Sequence, residues 1–348
     1  MALFSVENVR FAGVVSAVPT NVINNIENKL FSDRDEAEKF ISITGIASKR
    51  HVDPEVCTSD LCIKAAEKLL EQLNWDKEEI QVLVMVTQTP DYVVPNTAII
   101  VQDRLGLSKD TICFDVPLGC SGYVYGLSVL SQFLQSGQLT KGLLLVGDTL
   151  SRQCSKLDKS TYPLFGDAGS ATALEFSKGK VMDFNLWSDG SGYKDIIVPD
   201  GGYRNPFSEK SLEMKLTDDG SQRSGINTYM NGTNVFSFGI GTVTQELKKF
   251  IEKFSIKKET IKYFYFHQAN RFMNDMIRKK MKISLEQVPY SLDKFGNTSS
   301  ATIPVTITSQ NEKFKNTEVI MCGFGVGLSI GIVRLYLEEN IINELIEY

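Results

Sequence analysis

Phe114–Asp148 reads FDVPLGCSGYVYGLSVLSQFLQSGQLTKGLLLVGD. An extended stretch runs through Asp115 and Val116, a turn follows at Pro117–Gly119, and a helix of apolar and small residues starts at Ser121. The apolar strand Gly142–Gly147 closes the unit. Strand, turn, helix and strand in that order is the building block of an α/β protein with buried strands. Other runs of strand length are Gln81–Thr87 (QVLVMVT), Tyr263–Phe266 (YFYF) and Val319–Cys322, while Ser59–Leu73 and Asn234–Phe254 carry apolar stripes at helical spacing.

The unit repeats. Trp75-Asp76-Lys77-Glu78-Glu79-Ile80 precedes one buried strand and Ile256-Lys257-Lys258-Glu259-Thr260-Ile261 precedes another, 181 residues on, each after an amphipathic helix. The segment around Cys120 then leads to GLLLVGD as the segment around Asn297 leads to EVIMCGFG. The shared order predicts a duplicated domain whose equivalent strand ends face each other across a pseudo-twofold axis, where a shared site forms.

Bulk properties narrow the class. The 348 residues are 42% hydrophobic and carry a net charge of −5, enough for a large packed core and the wrong sign for a nucleic-acid or basic membrane-surface protein. Six cysteines, at 57, 62, 113, 120, 154 and 322, show no metal-type CxxC pair and no small disulfide framework, so they are read as thiols in a reducing, cytoplasmic setting. No uncharged stretch approaches the roughly 18 residues of a membrane span, and Met1–Arg10 lacks a signal-like hydrophobic region.

Cys120 is the expected nucleophile. At a helix N-terminus, exposed N–H groups and the macrodipole favour a thiolate and predict a lowered pKa, and the flanking Gly119 and Gly122 let a thioester carbonyl approach. A buried structural cysteine is the competing reading, and it is adopted for the other five. Of the two histidines, His51 follows Lys49-Arg50 in a polar stretch and is expected at the surface; His267 ends YFYF at a strand end, where ligands collect, and is read equally as structural or catalytic. Asn297, in KFGNTSSATIPVTI, is either a helix cap or an amide donor to a developing oxyanion. Gly323–Gly327 (GFGVG) offers main-chain N–H groups to a bound oxygen.

Together these segments resemble β-ketoacyl-acyl-carrier-protein synthase III. The matching motifs are DVPLGCSGYVYGL around Cys120, LFGDAGSATAL at Leu164–Leu174, FHQAN at Phe266–Asn270, FGNTSSATIP at Phe295–Pro304 and GFGVG, in the family's order along nearly the whole chain. The resemblance implies a thiolase-like five-layer αβαβα fold of two related halves, 1–178 with the nucleophile and 179–348 with His267 and Asn297, assembled as a homodimer. It implies that Cys120 takes an acyl group from acyl-CoA or an acyl carrier protein, with the oxyanion held by main-chain N–H groups of Cys120 and Val326. Malonyl-carrier protein then enters, His267 and Asn297 stabilise the enolate formed as carbon dioxide leaves, and the carbanion attacks the acyl-cysteine. CoA and phosphopantetheine thioesters are the substrates, and no metal or redox cofactor is called for. Two other outcomes stay open: acyl transfer to an alcohol or amine with His267 as general base, and a catalytically silent partner within a condensing complex.

The departures concern substrate. Lys39 and Ile43 stand where the family holds the adenine of CoA, and Arg271 is shifted by one position from the family's carrier-contacting arginine. Arg278, Lys279, Lys280 and Lys282 form a basic cluster suited to phosphopantetheine or carrier-protein contact, or a solvated helical face. Val94 replaces a larger residue at the dimer-related acyl pocket. A specialised acyl pathway, rather than standard fatty acid initiation, is expected.

Overall fold

The computed structural model describes residues 2–217, 220–310, 312–339 and 341–348. The first half runs β1 (Ala2–Val18), β2 (Val22–Asn24), α1 (Arg34–Thr44), β3 (Ser48–Arg50), α2 (Thr58–Leu73), β4 (Val82–Val86), α3 (Thr97–Leu105), β5 (Ile112–Val116), α4 (Gly122–Leu134), β6 (Lys141–Asp148) and β7 (Ala168–Ser188). A connecting region follows, with two-residue strands β8 (Ile196–Ile197), β9 (Lys215–Leu216), β10 (Gln222–Arg223) and β11 (Tyr229–Met230). The second half comprises α5 (Gly232–Phe238), α6 (Thr244–Lys253), β12 (Tyr263–Phe266), α7 (Arg271–Met281), α8 (Leu292–Phe295), α9 (Thr302–Ser309), β13 (Thr317–Gly325), β14 (Ser329–Leu337) and β15 (Ile342–Glu347). The stripe expected as one helix over 234–254 is interrupted: a π-turn at Gly239–Val243 joins α5 to α6, where two glycines weaken the regular ladder.

Two parallel cores of strands are stitched by two long ones. β5, β4 and β6 lie side by side in one, β12 and β13 in the other, and β14 joins the second core to β7. β7 pairs with β6 through Ala168–Glu175 and with β14 through Asp183–Ser188, while β1 pairs antiparallel with both stretches of β7. The 178/179 position falls inside β7, next to Gly179, whose φ of +79° turns the strand from one region to the other.

Strand periodicity assigns the layers. Val82, Val84, Val86, Leu144 and Val146 share one core with Tyr265, Val319, Met321, Val333 and Leu335, and between them lie Tyr123, Val124, Leu127, Leu130 and Leu134 of α4 with Ile303 and Ile307 of α9. The alternate residues face outward: Leu83, Met85, Leu143 and Leu145 pack on α2 and α3, and Phe264, Phe266, Ile320 and Cys322 pack on α6 and α7. The result is the five-layer αβαβα stack. α4 and α9 are buried along most of their length because both their faces are covered by strands.

Candidate active site

Both middle-layer helices begin at the same cavity. Its volume is ≈ 250 Å³, and Cys120, His267 and Asn297 all line it together with Gly325 and Val326. Each side chain arrives by a different route. Cys120 precedes the first turn of α4. His267 follows β12, and since Phe264 and Phe266 point outward, alternation turns it inward; its main-chain N–H is held by the Cys322 carbonyl at 2.9 Å. Asn297 is clipped to the LFGD segment, donating to the Leu164 carbonyl (2.9 Å) and accepting from the Gly166 N–H (3.0 Å).

Hydrogen bonds orient the polar groups. Asn297 Oδ1 accepts from the Ser299 N–H at 2.9 Å, which leaves its Nδ2 as the free donor. Thr302 donates its hydroxyl proton to the Ser299 carbonyl (3.0 Å), so its oxygen accepts from His267 Nδ1–H at 2.7 Å. That bond selects the neutral tautomer with a bare Nε2. Gln268 and Asn274 support this strand end: Gln268 Nε2 donates to the Phe266 carbonyl (2.7 Å) and Asn274 Nδ2 to that of His267 (3.0 Å). Sulfur is met by the N–H groups of Val326 and Cys120 itself. Gly325, at φ +156°, is obligatory: a Cβ there would stand 2.7 Å from Cys120 Sγ.

The expected lowering of the Cys120 pKa is not found. The thiol is only 8% exposed, and burial outweighs the N–H contacts, pushing it up to about 11. Burial also presses His267 down to about 3. The resting site therefore holds a neutral thiol and a neutral imidazole. His51 is likewise not at the surface: it is buried, with Nε2 3.1 Å from the Phe165 carbonyl and its ring edge-on to Tyr162, and burial lowers its pKa to about 4. Its neighbour Lys49 is fully buried against Asn25 Oδ1 (3.1 Å) and the Tyr162 ring. The β2–β3 pair folds this polar stretch inward beside the Asn297 loop, so local polarity misplaced it.

The basic cluster separates. Arg271 starts α7 with its guanidinium 4.0 Å from the centre of the Tyr290 ring, and the helix N-cap Asn270 lines the cavity. Arg278 is occupied by Asp275 (3.2 Å) and the Ile283 carbonyl (3.1 Å), and Lys280 donates to the Ile240 carbonyl (2.9 Å). Lys279 and Lys282 are exposed at the far end of α7, roughly 15 Å along the helix at 1.5 Å per residue. α1 ends against Arg271 with Ile43 exposed and Lys39 one turn earlier.

Asp148 escaped the sequence reading. Fully buried at the end of β6, it accepts from Gln88 N–H (2.7 Å), Ser300 N–H (3.1 Å) and Ser300 Oγ (2.6 Å), tying the loop after β4 to the Asn297 loop. Burial raises its pKa. Asp167 is its counterpart in LFGD, bound by Ser151 and the Val52 N–H and raised by burial to about 6. An acidic residue closing an apolar run was the available signal for both.

A five-layer stack with a cysteine cavity opening where the two central helices begin is the thiolase-like fold. The sequence matches 3-oxoacyl-[acyl-carrier-protein] synthase III over residues 114–190 and the C-terminal segment of that family over 251–337. It is 33% identical to the β-ketoacyl-[acyl-carrier-protein] synthase III of Syntrophomonas wolfei (94% of this chain, 97% of that one) and 32% identical to that of Caldanaerobacter subterraneus (91% and 94%). The crystal structure of a 3-oxoacyl-(acyl-carrier protein) synthase from Burkholderia xenovorans LB400 superposes with a TM-score of 0.92 at 34% identity, covering 99% of each chain. The chain belongs to the 3-oxoacyl-[acyl-carrier-protein] synthase III family of acyltransferase-type condensing enzymes.

Proposed function

We propose that the chain joins an acyl thioester to a malonyl thioester by decarboxylative condensation, with Cys120 as the acylated nucleophile. The observation that carries the assignment is the convergence of thiol, imidazole and carboxamide on one cavity. In the first half-reaction His267 Nε2 accepts the thiol proton as sulfur attacks the thioester carbonyl. The N–H groups of Cys120 and Val326 take the oxyanion, and the departing CoA or pantetheine thiolate carries the proton away. In the second, loss of carbon dioxide from malonyl-carrier protein leaves an enolate facing Asn297 Nδ2. The overall reaction takes up one proton; it enters at Nε2, supplies a second donor to the enolate, and passes to sulfur as Cys120 releases the acyl group. The route calls on no metal or redox cofactor.

Intact-protein mass spectrometry tests it. Cys120→Ala should show no acyl mass shift with acyl-CoA or acyl-carrier donors; Asn297→Ala should spare acylation more than malonyl decarboxylation, and His267→Ala should slow both half-reactions. An unchanged shift in Cys120→Ala removes the nucleophile assignment. Product mass separates condensation from transfer to an alcohol or amine, since only the former lengthens the chain.

For partners, Arg271 at the cavity mouth and the exposed Lys279 and Lys282 are assigned to the phosphopantetheine arm and its acidic carrier; Arg278 serves the fold. The chain is assigned to the cytoplasm; no described helix is long and apolar enough to cross a membrane. It is further assigned as a homodimer through β5, the last strand on its side of the sheet. Ile112 is 40% exposed there, and Tyr92, Val93 and Val94 (63–79% exposed) lie on the loop leading into α3, whose first N–H groups are bound by Asp115 of β5. Sedimentation velocity should give twice the monomer mass.

A further inference from the structure

Besides Asn270, which caps α7, and Ser299, whose N–H orients Asn297, the cavity beside Cys120 is lined by three polar residues that the proposed condensation does not use: Gln88, Gln153 and Thr228. Gln88 follows β4, and its main-chain N–H is anchored by Asp148 at 2.7 Å. Its carboxamide lies over Gly119, the residue before the nucleophile, where any Cβ would collide with Oε1. Gln153 follows β6, and its carbonyl accepts from the Thr228 N–H (2.9 Å) and from Asn227 Nδ2 (3.3 Å), which holds Thr228 beside it. Thr228 is 5% exposed, and its hydroxyl has no hydrogen-bond partner. Among the described residues neither glutamine carboxamide is hydrogen-bonded to protein.

Position sorts these groups from the rest of the wall. Phe236, Asn270 and Met273 come from the second half and flank α7, where Phe272 is half exposed and stacks on Phe236 at the entrance. Gln88 and Gln153 come from the strand ends of the first half, and Gln153 also borders a second cleft with Thr89, Asp91 and Thr149. Phe272 brings that end of the cavity wall to the surface, and a pantetheine arm entering past the aromatic pair would project its acyl group toward the glutamines. A saturated acyl tail there would bury three polar groups without partners, which is costly, and a site that hydrogen-bonds a substrate hydroxyl discriminates strongly against the analogue that lacks it.

We infer that the acyl group loaded on Cys120 is a short hydroxyacyl group, whose hydroxyl is bound by Gln88, Gln153 and Thr228. This rests on Cys120 being the acylated nucleophile. The probes are the pantetheine thioesters of butyrate, 3-hydroxybutyrate and 4-hydroxybutyrate, which present the arm common to CoA and carrier protein; loading is followed by intact mass. At least one hydroxyacyl probe should load about tenfold or more faster than butyryl, and Thr228→Val and Gln153→Leu should each bring that ratio toward one. Butyryl loading at the rate of both hydroxyacyl probes, or a ratio unmoved in both variants, overturns the inference and leaves the nucleophile standing. Absence of loading by all three probes also overturns the inference, while the nucleophile is decided by the mass shift of Cys120→Ala against the unmodified chain with acyl-CoA and acyl-carrier donors.

Discussion

At the nucleophile, two neutral groups replace the ion pair that a helix N-terminus alone would favour. With the thiol near 11 and the imidazole near 3, neither titrates in between, so the rate of acylation should be level from about pH 5 to 9. A bell centred near neutrality in the single-turnover pH profile would restore a thiolate–imidazolium pair. Thr302 is a positioning residue in this scheme, since it holds the proton on Nδ1. Thr302→Val should lower the chemical step at least about tenfold with little change in KM, while Thr302→Ser, which keeps the hydroxyl, should recover it. Gly325→Ala places a methyl 2.6 Å from Cys120 Cβ and 2.7 Å from its Sγ and should block acyl-enzyme formation, read as a missing mass shift, and lower the melting temperature.

Among the elements, the site depends on how strand ends are joined. Asp148 receives donors from the loop after β4 and from the Ser300 turn, so Asp148→Ala strands buried N–H and hydroxyl groups. It should destabilise the fold by at least about 2 kcal/mol in urea melts and lower activity through the misplaced Asn297 loop. The elements themselves were legible: continuous apolar runs of strand length and the 181-residue echo place β4 and β12 correctly, 82 and 263 being their first residues. Cys120, His267 and Asn297 could be singled out because each sits at the junction of a periodic segment with a turn. Thr302, Thr228 and Gln153 could not, since a threonine in a helix or a glutamine in a turn acquires meaning only from a neighbour dozens of residues away. His51 was misread for the same reason, its polar surroundings in sequence giving no sign of the β2–β3 pair that buries it.

For the molecule as a whole, buried imidazoles make acid a destabilising agent. The folded pKa values of His51 and His267 lie below the ordinary 6.5, so the unfolded chain binds protons that the folded one refuses. Their contribution is complete above pH 6.5 and is lost as pH falls toward 4. Asp167 opposes this, because its folded carboxyl, raised to about 6, keeps a proton that the unfolded chain has released. Near pH 5, His51→Gln should remove one proton of uptake on unfolding and flatten the stability–pH slope by about 1.4 kcal/mol per pH unit; an unchanged slope would mean that His51 is already charged in the native state. The stitching strands carry a different consequence. β1 is flanked by β7 on one side and by β15, in parallel register from Gly13 to Val18, on the other. During synthesis β1 therefore keeps that edge unpaired until residues 342–347 have left the ribosome, and a chaperone has that interval in which to engage it.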